Sequence, residues 1–152
     1  AEGLARIMPD SQFLLFGTYV RLEGKARKAV HRAKLPNISY LEEMRPELYR
    51  SALATAKALL ILDPWTGEPF TAMDAIWSGI PVIAPHLNLL AGLFTPGLDY
   101  LESKPSTLGF FEAVKSLATV AGSQLVATAR ERLGILKERQ DWKRLGALLG
   151  DL

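Results

Sequence analysis

The sequence contains no cysteine, and this absence excludes disulfide bonds and thiolate metal sites. It has only two histidines, His31 and His86, and neither has a convincing set of further ligands, so we expect no metal. No apolar run reaches the roughly eighteen residues of a membrane span. The N-terminus lacks a basic start followed by a long apolar stretch, which predicts no signal peptide. A cytoplasmic location is therefore the default expectation.

The chain also has little net charge and few side-chain amides. Its formal net charge of +2 makes nucleic acid an unfavoured partner. Scarce asparagine and glutamine, together with absent cysteine, are typical of a thermophilic source, although a general composition bias produces the same pattern. The amide residues are Asn37, Asn88, Gln12, Gln124 and Gln140.

Apolar runs alternate with helical periodicities along all 152 residues, a length that suits one domain, 1–152. The runs predict buried strands, and the periodicities predict helices between them. This order is typical of an α/β fold with a doubly wound, Rossmann-like parallel sheet of five or six strands and helices on both faces. The predicted strands are 12–19, 37–41, 58–62, 81–84 and 98–101, and the predicted helices are 2–8, 20–34, 46–57, 71–78, 106–120 and 124–149.

Ligands of such sheets bind beyond the carboxyl ends of the strands, and one helix that starts there carries a polar pattern. Thr71-Ala72-Met73-Asp74 matches a capping box with aspartate in place of the usual glutamate. A purely structural cap explains it fully. The functional interpretation uses the same geometry, because free amides of Thr71 and Ala72 suit a diphosphate and Asp74 suits ribose hydroxyls.

A basic segment occupies residues 21–34. A solvated helix face is the ordinary explanation. The alternatives are peripheral contact with an anionic membrane or contact with a donor phosphate, with Lys25 nearest the sheet edge. Arg45, in the loop after the second strand, suits either the surface or contact with a base or phosphate. The basic residues of the segment are Arg21, Lys25, Arg27, Lys28, Arg32 and Lys34.

The segment 74–83, Asp-Ala-Ile-Trp-Ser-Gly-Ile-Pro-Val-Ile, together with 68–70, Glu-Pro-Phe, resembles a loop and helix of a known family. This family is the C-terminal, donor-binding domain of retaining glycosyltransferases with the GT-B fold. Further similarity covers the first strand with Gly17, the strand 38–41 and the helix after Arg45. Order and spacing agree over nearly the whole chain.

The resemblance implies a nucleotide-diphosphate sugar as donor, UDP-, GDP- or ADP-linked, and the transfer of a hexosyl group with retention. Glu68 is then the catalytic residue that contacts the donor sugar, and Asp74 contacts the ribose. The diphosphate lies against the loop and helix start. The implied binding residues are Asp74, Thr71, Phe70, Pro69 and Gly17, with Tyr40, Leu41 and Arg45 at the base.

Two departures leave alternatives open. Glu68 and Asp74 are separated by five residues, where the family has seven, and the acceptor domain of a GT-B enzyme is absent. The chain is then a fragment, or a partner chain supplies the other half. Alternatively it is a non-catalytic binding or assembly module, or a Rossmann-like domain for another phosphorylated ligand. The C-terminal helices either cover this domain's own sheet or leave an apolar strip exposed, and an exposed strip would mark a contact for the missing domain or for a homodimer.

Overall fold

The computed structural model describes residues 1–16, 28–41, 45–62, 70–85, 94–117 and 122–139. Helices and strands alternate along these segments, as the hydrophobic pattern predicts. The strands are β1 (Phe13–Leu15), β2 (Ile38–Tyr40), β3 (Leu59–Leu60), β4 (Val82–Ala84) and β5 (Leu101–Glu102). The helices are α1 (Glu2–Ile7), α2 (28–33), α3 (Pro46–Thr55), α4 (Phe70–Trp77), α5 (Thr107–Leu117) and α6 (Gly122–Arg139).

Every ladder between the described strands is parallel. β1 pairs with β2, with Phe13 opposite Ile38. β3, β4 and β5 form a second group with β4 in the middle. Parallel pairs need a crossover connection, and the intervening helices provide it. The α/β, Rossmann-like fold class predicted from the sequence is confirmed.

The central strand β4 shows why helices cover both faces. Val82 and Ala84 point into one apolar cluster, which includes residues of α4 and α6. Ile83, which is fully buried, points into the other, which includes residues of α1 and α5. Successive side chains of a strand face opposite sides, so an uninterrupted apolar strand requires cover on both. Each such buried side chain contributes about 1.5–3 kcal/mol.

The turn from α4 into β4 depends on Gly79. The Gly79 N–H donates to the carbonyl of Ile76 at 3.0 Å, and the Ile80 N–H donates to that of Ala75 at 2.8 Å. These two bonds form a Schellman motif, which requires a left-handed residue after the helix. Gly79 supplies it with φ of +85°, directly after the last residue of the helix predicted over 71–78.

Two local predictions are wrong. The helix α4 begins at Phe70, so Thr71 lies inside its first turn and Asp74 lies beyond that turn, and the predicted capping box does not form. Burial of Ala72 and Ala75 determines which face of α4 packs against the core. It does not determine the residue at which the helix begins. The last strand occupies Leu101–Glu102 instead of 98–101, because the Asp99 carboxylate accepts the Thr95 N–H at 2.6 Å and closes a turn there.

The long helix α6 is attached to the end of α4 by Arg130. The guanidinium donates to the carbonyl of Ile76 at 2.9 Å and to that of Trp77. Ala129 and Leu133, on the same helix, are buried in the core. A cation is favourable at a helix C-terminus, where carbonyls lack partners within the helix. None of the described helices is long and apolar enough to cross a membrane.

Replacing Arg130 with methionine is expected to lower the free energy of unfolding by about 1–2 kcal/mol, because two hydrogen bonds from a charged group to carbonyls are lost. Urea denaturation measures the change. Arg6→Met is the matched control: it loses only an exposed ion pair with Glu2, so a change below about 0.5 kcal/mol is expected. Equal effects of the two substitutions would contradict the role given to Arg130.

Candidate functional site

Three successive strands deliver side chains to one edge of the sheet. Phe16 directly follows β1, Tyr49 is the fourth residue of the helix after β2, and Asp74 is the fifth residue of the helix after β3. In a parallel sheet the carboxyl ends of the strands, and the N-termini of the helices that follow them, share one edge. The three residues therefore lie at the edge where α/β proteins bind ligands.

The rings of Phe16 and Tyr49 are in contact. Their centroids are 5.9 Å apart and their planes meet at 76°, an edge-to-face arrangement. Both rings pack against the apolar cluster that contains Ala72, Ala75 and Ile76 of α4. This packing holds the ring of Tyr49 between the end of β1 and the body of α4.

The Tyr49 hydroxyl interacts with the Asp74 carboxylate. Burial, then the negative charge of Asp74 and a hydrogen bond to it, raise the pKa of the Tyr49 phenol from 10.0 to about 12. The hydroxyl oxygen is sealed from solvent but lies outside strict hydrogen-bond geometry. The effect of Asp74 on Tyr49 is therefore electrostatic.

The alkaline titration of Tyr49 tests this contact. We expect its phenol to titrate near pH 12. We expect the midpoint to move to lower pH in Asp74→Asn, because the nearby negative charge is removed. Ultraviolet difference titration between each chain and its Tyr49→Phe derivative isolates this phenol among the four tyrosines. An unchanged midpoint in Asp74→Asn would show that the two side chains do not interact.

The same pKa shift has a consequence for stability. The pKa of the Tyr49 phenol is higher in the folded chain, about 12, than in the unfolded chain, 10.0. Its contribution to stability is therefore fully present below pH 10 and is lost as the pH rises from 10 to about 12. Tyr49 is therefore neutral, and able to donate a proton, throughout the physiological range. Asp74 itself is exposed to solvent.

The start of α4 lies about one turn before Asp74 on the same helix. The first N–H groups of a helix have no acceptor within the helix, and the helix dipole favours an anion there. Thr71 is half-buried, whereas Ala72 is almost completely buried. Of the two residues whose amides are predicted to hold a diphosphate, Thr71 is therefore the more exposed.

The residues predicted to line the base pocket are at the carboxyl end of β2. Tyr40 closes the strand, and Leu41, half-buried, donates its N–H to the carbonyl of Leu15 at 3.0 Å. Arg45 is exposed and directly precedes α3. Their contact with a base remains a prediction.

Several predicted site residues lie outside the part of the chain that the structure describes: Gly17, Glu68, Pro69, the side chain of Phe70, Lys25 and His86. The catalytic assignment of Glu68 therefore remains a prediction. Of the basic segment, Lys28, Arg32 and Lys34 are described, and all three are exposed. Within the described residues no group of three or more histidine or acidic side chains is arranged to hold a metal.

Sequence reasoning missed Tyr49 as a site residue. Tyr49 falls in the apolar stripe of its helix, which predicts packing, and its ring does pack against the core. The sequence did contain a signal. A tyrosine in the first turn of a helix that follows a strand carries a polar group at the ligand-binding edge. A buried phenol also usually has a hydrogen-bond partner.

No protein-family profile matches the chain, and no curated protein matches it significantly. Solved structures do match. The chain superposes on sucrose-phosphate synthase from Thermosynechococcus elongatus with a TM-score of 0.68 and 20% identity, covering 97% of this chain and 42% of that one. It superposes on the pneumococcal O-GlcNAc transferase GtfA in complex with UDP and GlcNAc with a TM-score of 0.70 and 14% identity, covering 95% of this chain and 30% of that one.

The chain thus spans less than half the length of either of these proteins. At such identities the likeness concerns the fold. The chain has a Rossmann-like fold of the kind that forms one half of GT-B glycosyltransferases.

Proposed function

We propose that this chain binds a nucleotide-diphosphate sugar, as the donor half of a retaining glycosyltransferase that transfers a hexosyl group to an acceptor. The observation that carries the proposal is the contact of the Phe16 and Tyr49 rings where two strands end, with Asp74 on the helix after the third strand and its charge raising the pKa of the Tyr49 phenol. In this proposal the Asp74 carboxylate and the first N–H groups of α4, which have no acceptor within the helix, act together. Ribose hydroxyls donate hydrogen bonds, and diphosphates accept them. A carboxylate and helix amides therefore suit adjacent parts of one nucleotide.

In this proposal each part of the donor has its own contact. The ribose hydroxyls donate to Asp74, the diphosphate accepts from the Thr71 amide, and the base lies against Tyr40 and Leu41. Glu68 contacts the hydroxyls of the sugar. Glycosyl transfer then depends mainly on holding the donor in place and stabilising the departing diphosphate.

The acceptor must be bound by a separate domain or by a partner chain. The two similar structures support this arrangement, since each is more than twice as long as the matched segment. The UDP and GlcNAc in the second structure also agree with a nucleotide-sugar ligand for this fold. The identity of the base and of the sugar is left to experiment.

Calorimetric titration tests the proposal. The chain is titrated with UDP, GDP and ADP and with their glucose or mannose conjugates. We expect one nucleotide to bind, and to bind more tightly as its sugar conjugate. Asp74→Ala is expected to weaken that binding about ten- to a hundredfold, because hydrogen bonds to a charged group are lost.

The matched control is Glu112→Ala, which removes an exposed carboxylate from α5, a helix on the other face of the sheet. It should leave the affinity unchanged. Thermal unfolding of both variants shows that they are folded. Normal binding by Asp74→Ala, or equal losses in the two variants, would contradict the assignment of Asp74 to the ribose.

A further inference from the structure

Large apolar side chains are exposed at the amino edge of the sheet, which is opposite the edge of the proposed ligand site. Trp77, the last residue of α4, is 46% exposed, and Leu98, in the turn before β5, is 57% exposed. Ile7, the last residue of α1, is also exposed. Tryptophan is highly buried on average, and exposed apolar patches mark interaction sites in many proteins. These three side chains therefore indicate an interaction surface.

Two arginines of α6 hold Trp77 and Leu98 on either side of this helix. Arg130 donates to carbonyls at the end of α4, including that of Trp77. Arg132, two positions later, pairs with Asp99, the neighbour of Leu98, at 2.9 Å. Side chains two positions apart on a helix point to different sides, so α6 passes between the two exposed residues. Trp77 and Leu98 therefore belong to the same surface.

Ile7 lies at the same edge, because the end of α1 is bonded to the start of β2. Asn37, directly before β2, donates to the carbonyl of Met8, which follows Ile7, at 3.0 Å. The other end of α1 meets the start of α5, where Gly3 approaches Thr107. Helices that follow strands begin at the carboxyl edge. The last residue of α1 therefore lies away from that edge.

Charge distinguishes the two edges of the sheet. Among the described residues, leaving aside the ion pair of Arg6 with Glu2 within α1, six basic and three acidic side chains lie at the amino edge. Two basic and three acidic ones lie at the carboxyl edge, so the amino edge is the basic one. Its basic residues are Arg32, Lys34, Lys57, Lys115, Arg130 and Arg132, and its acidic residues are Asp10, Asp99 and Glu131. The charged residues of the carboxyl edge are Arg45, Glu47, Asp74, Glu102 and Lys104.

We propose that the amino edge docks on an anionic lipid surface, with Trp77, Leu98 and Ile7 in the interfacial layer and the basic side chains against lipid phosphates. Tryptophan is favoured at membrane–water interfaces, where its ring meets the apolar side and its N–H the polar side. Lysine and arginine are attracted to anionic headgroups, and apolar side chains flanked by basic ones match this chemistry. Nucleic acid would match the charge, but it offers no apolar layer to Leu98 and Ile7.

Docking at this edge leaves the opposite edge open to water. A water-soluble nucleotide sugar can then reach the proposed site while the chain is bound to lipid. None of the docking residues belongs to the proposed nucleotide site, so lipid binding is expected whether or not a nucleotide binds.

Vesicle sedimentation tests the proposal. The chain is mixed with phosphatidylcholine vesicles that contain or lack phosphatidylglycerol. We expect binding to the anionic vesicles, weaker binding at higher salt because the charges are screened, and little binding to the neutral vesicles. We also expect a blue shift of the Trp77 emission on the anionic vesicles. The difference between the chain and its Trp77→Phe variant isolates this emission among the three tryptophans.

Two matched pairs of variants locate the docking surface. Lys57→Gln removes an exposed lysine from the amino edge, and Lys104→Gln removes one from the carboxyl edge. Leu98→Ala and Leu108→Ala shorten exposed leucines before β5 and at the start of α5, respectively. We expect Lys57→Gln to weaken vesicle binding about fivefold and Leu98→Ala to weaken it about three- to tenfold. The two variants at the carboxyl edge should bind vesicles as the unaltered chain does.

Thermal unfolding shows that all four variants are folded. Equal losses within either pair would overturn the proposal, and so would an absence of binding to anionic vesicles or an unshifted Trp77 emission. Binding to a short DNA duplex that falls in Lys57→Gln but not in Leu98→Ala would assign the edge to nucleic acid and overturn it as well. Calorimetric titration with the nucleotides keeps the two proposals apart. Lys57→Gln and Leu98→Ala should leave the nucleotide affinity unchanged, so a failure of vesicle binding leaves the proposed function standing.

Discussion

Replacing Asn37 with leucine is expected to lower the free energy of unfolding by about 2–4 kcal/mol, since a buried amide that satisfies several carbonyls is lost. Its Nδ2 donates to the carbonyls of Ala5, Met8 and Ser11 at 2.9, 3.0 and 3.1 Å. Asn37 is only 3% exposed, so water cannot replace the amide. In a chain of this length the change corresponds to a fall in melting temperature of about 5–10 °C.

The structural reason is the position of Asn37 between two elements. Its side chain satisfies carbonyls at and beyond the end of α1, and its own carbonyl accepts the N–H of Phe13 at the start of β1. One residue thus joins the N-terminal helix, the first strand and the second strand. Loss of the side chain leaves the carbonyls of Ala5, Met8 and Ser11 without this donor, whereas the backbone bond to Phe13 can remain.

Two further variants show whether the amide or merely its volume matters. Asn37→Asp keeps the shape but directs oxygen atoms toward carbonyl oxygens, so it should destabilise the protein at least as much as leucine. Gln124→Leu removes an exposed amide on α6 and should change the stability by less than about 0.5 kcal/mol. A nearly unaltered Asn37→Asp protein would show that the amide hydrogen bonds contribute little.

The second large effect is expected at Arg132. Its Nε lies 2.9 Å from the Asp99 carboxylate, whose side chain is 0% exposed. One oxygen of this carboxylate accepts from Thr95 and Arg132, and the other has no hydrogen-bond partner among the described residues. Arg132→Met leaves a buried carboxylate without its counter-charge. We expect a loss of about 2–3 kcal/mol, below the value for a fully buried pair because the Arg132 side chain is 39% exposed.

A double variant provides the internal control. If the unpaired charge causes the loss, Asp99→Asn combined with Arg132→Met should be more stable than Arg132→Met alone, because no buried charge remains. Urea denaturation of the single and double variants gives the interaction energy. Additive losses would contradict this explanation and would assign the effect to the methylene groups of Arg132.

The strands of the sheet, and the need for helices on both of its faces, were predictable because they depend on local sequence. The continuous apolar run through Val82, Ile83 and Ala84 fits only a strand with apolar neighbours on both faces. Gly79 before Pro81 indicates the helix end through a backbone conformation that glycine adopts without strain. Neither inference requires knowledge of distant parts of the chain.

The contacts that position the site were not predictable in the same way. Asn37 bonds to residues 26–32 positions away, and no local pattern distinguishes it from an ordinary strand start. The pairing of Tyr49 with Asp74 joins two helices across the end of a strand. The capping pattern at Thr71 predicted the wrong start of α4 for a related reason. The packing of the whole helix, and not its first four residues, determines where α4 lies.

In the proposed function, a nucleotide sugar binds at the carboxyl edge of the sheet, beside Tyr49 and Asp74. The most direct measurement is an amide ¹H–¹⁵N correlation spectrum of the chain, recorded while the tightest-binding nucleotide sugar is added. We predict saturable shifts for the amides of Thr71, Leu41 and Tyr49, and none for Gly79 and Gly97, which precede β4 and β5 at the opposite edge. Shifts confined to that opposite edge, or no shifts at millimolar ligand, would contradict the claim.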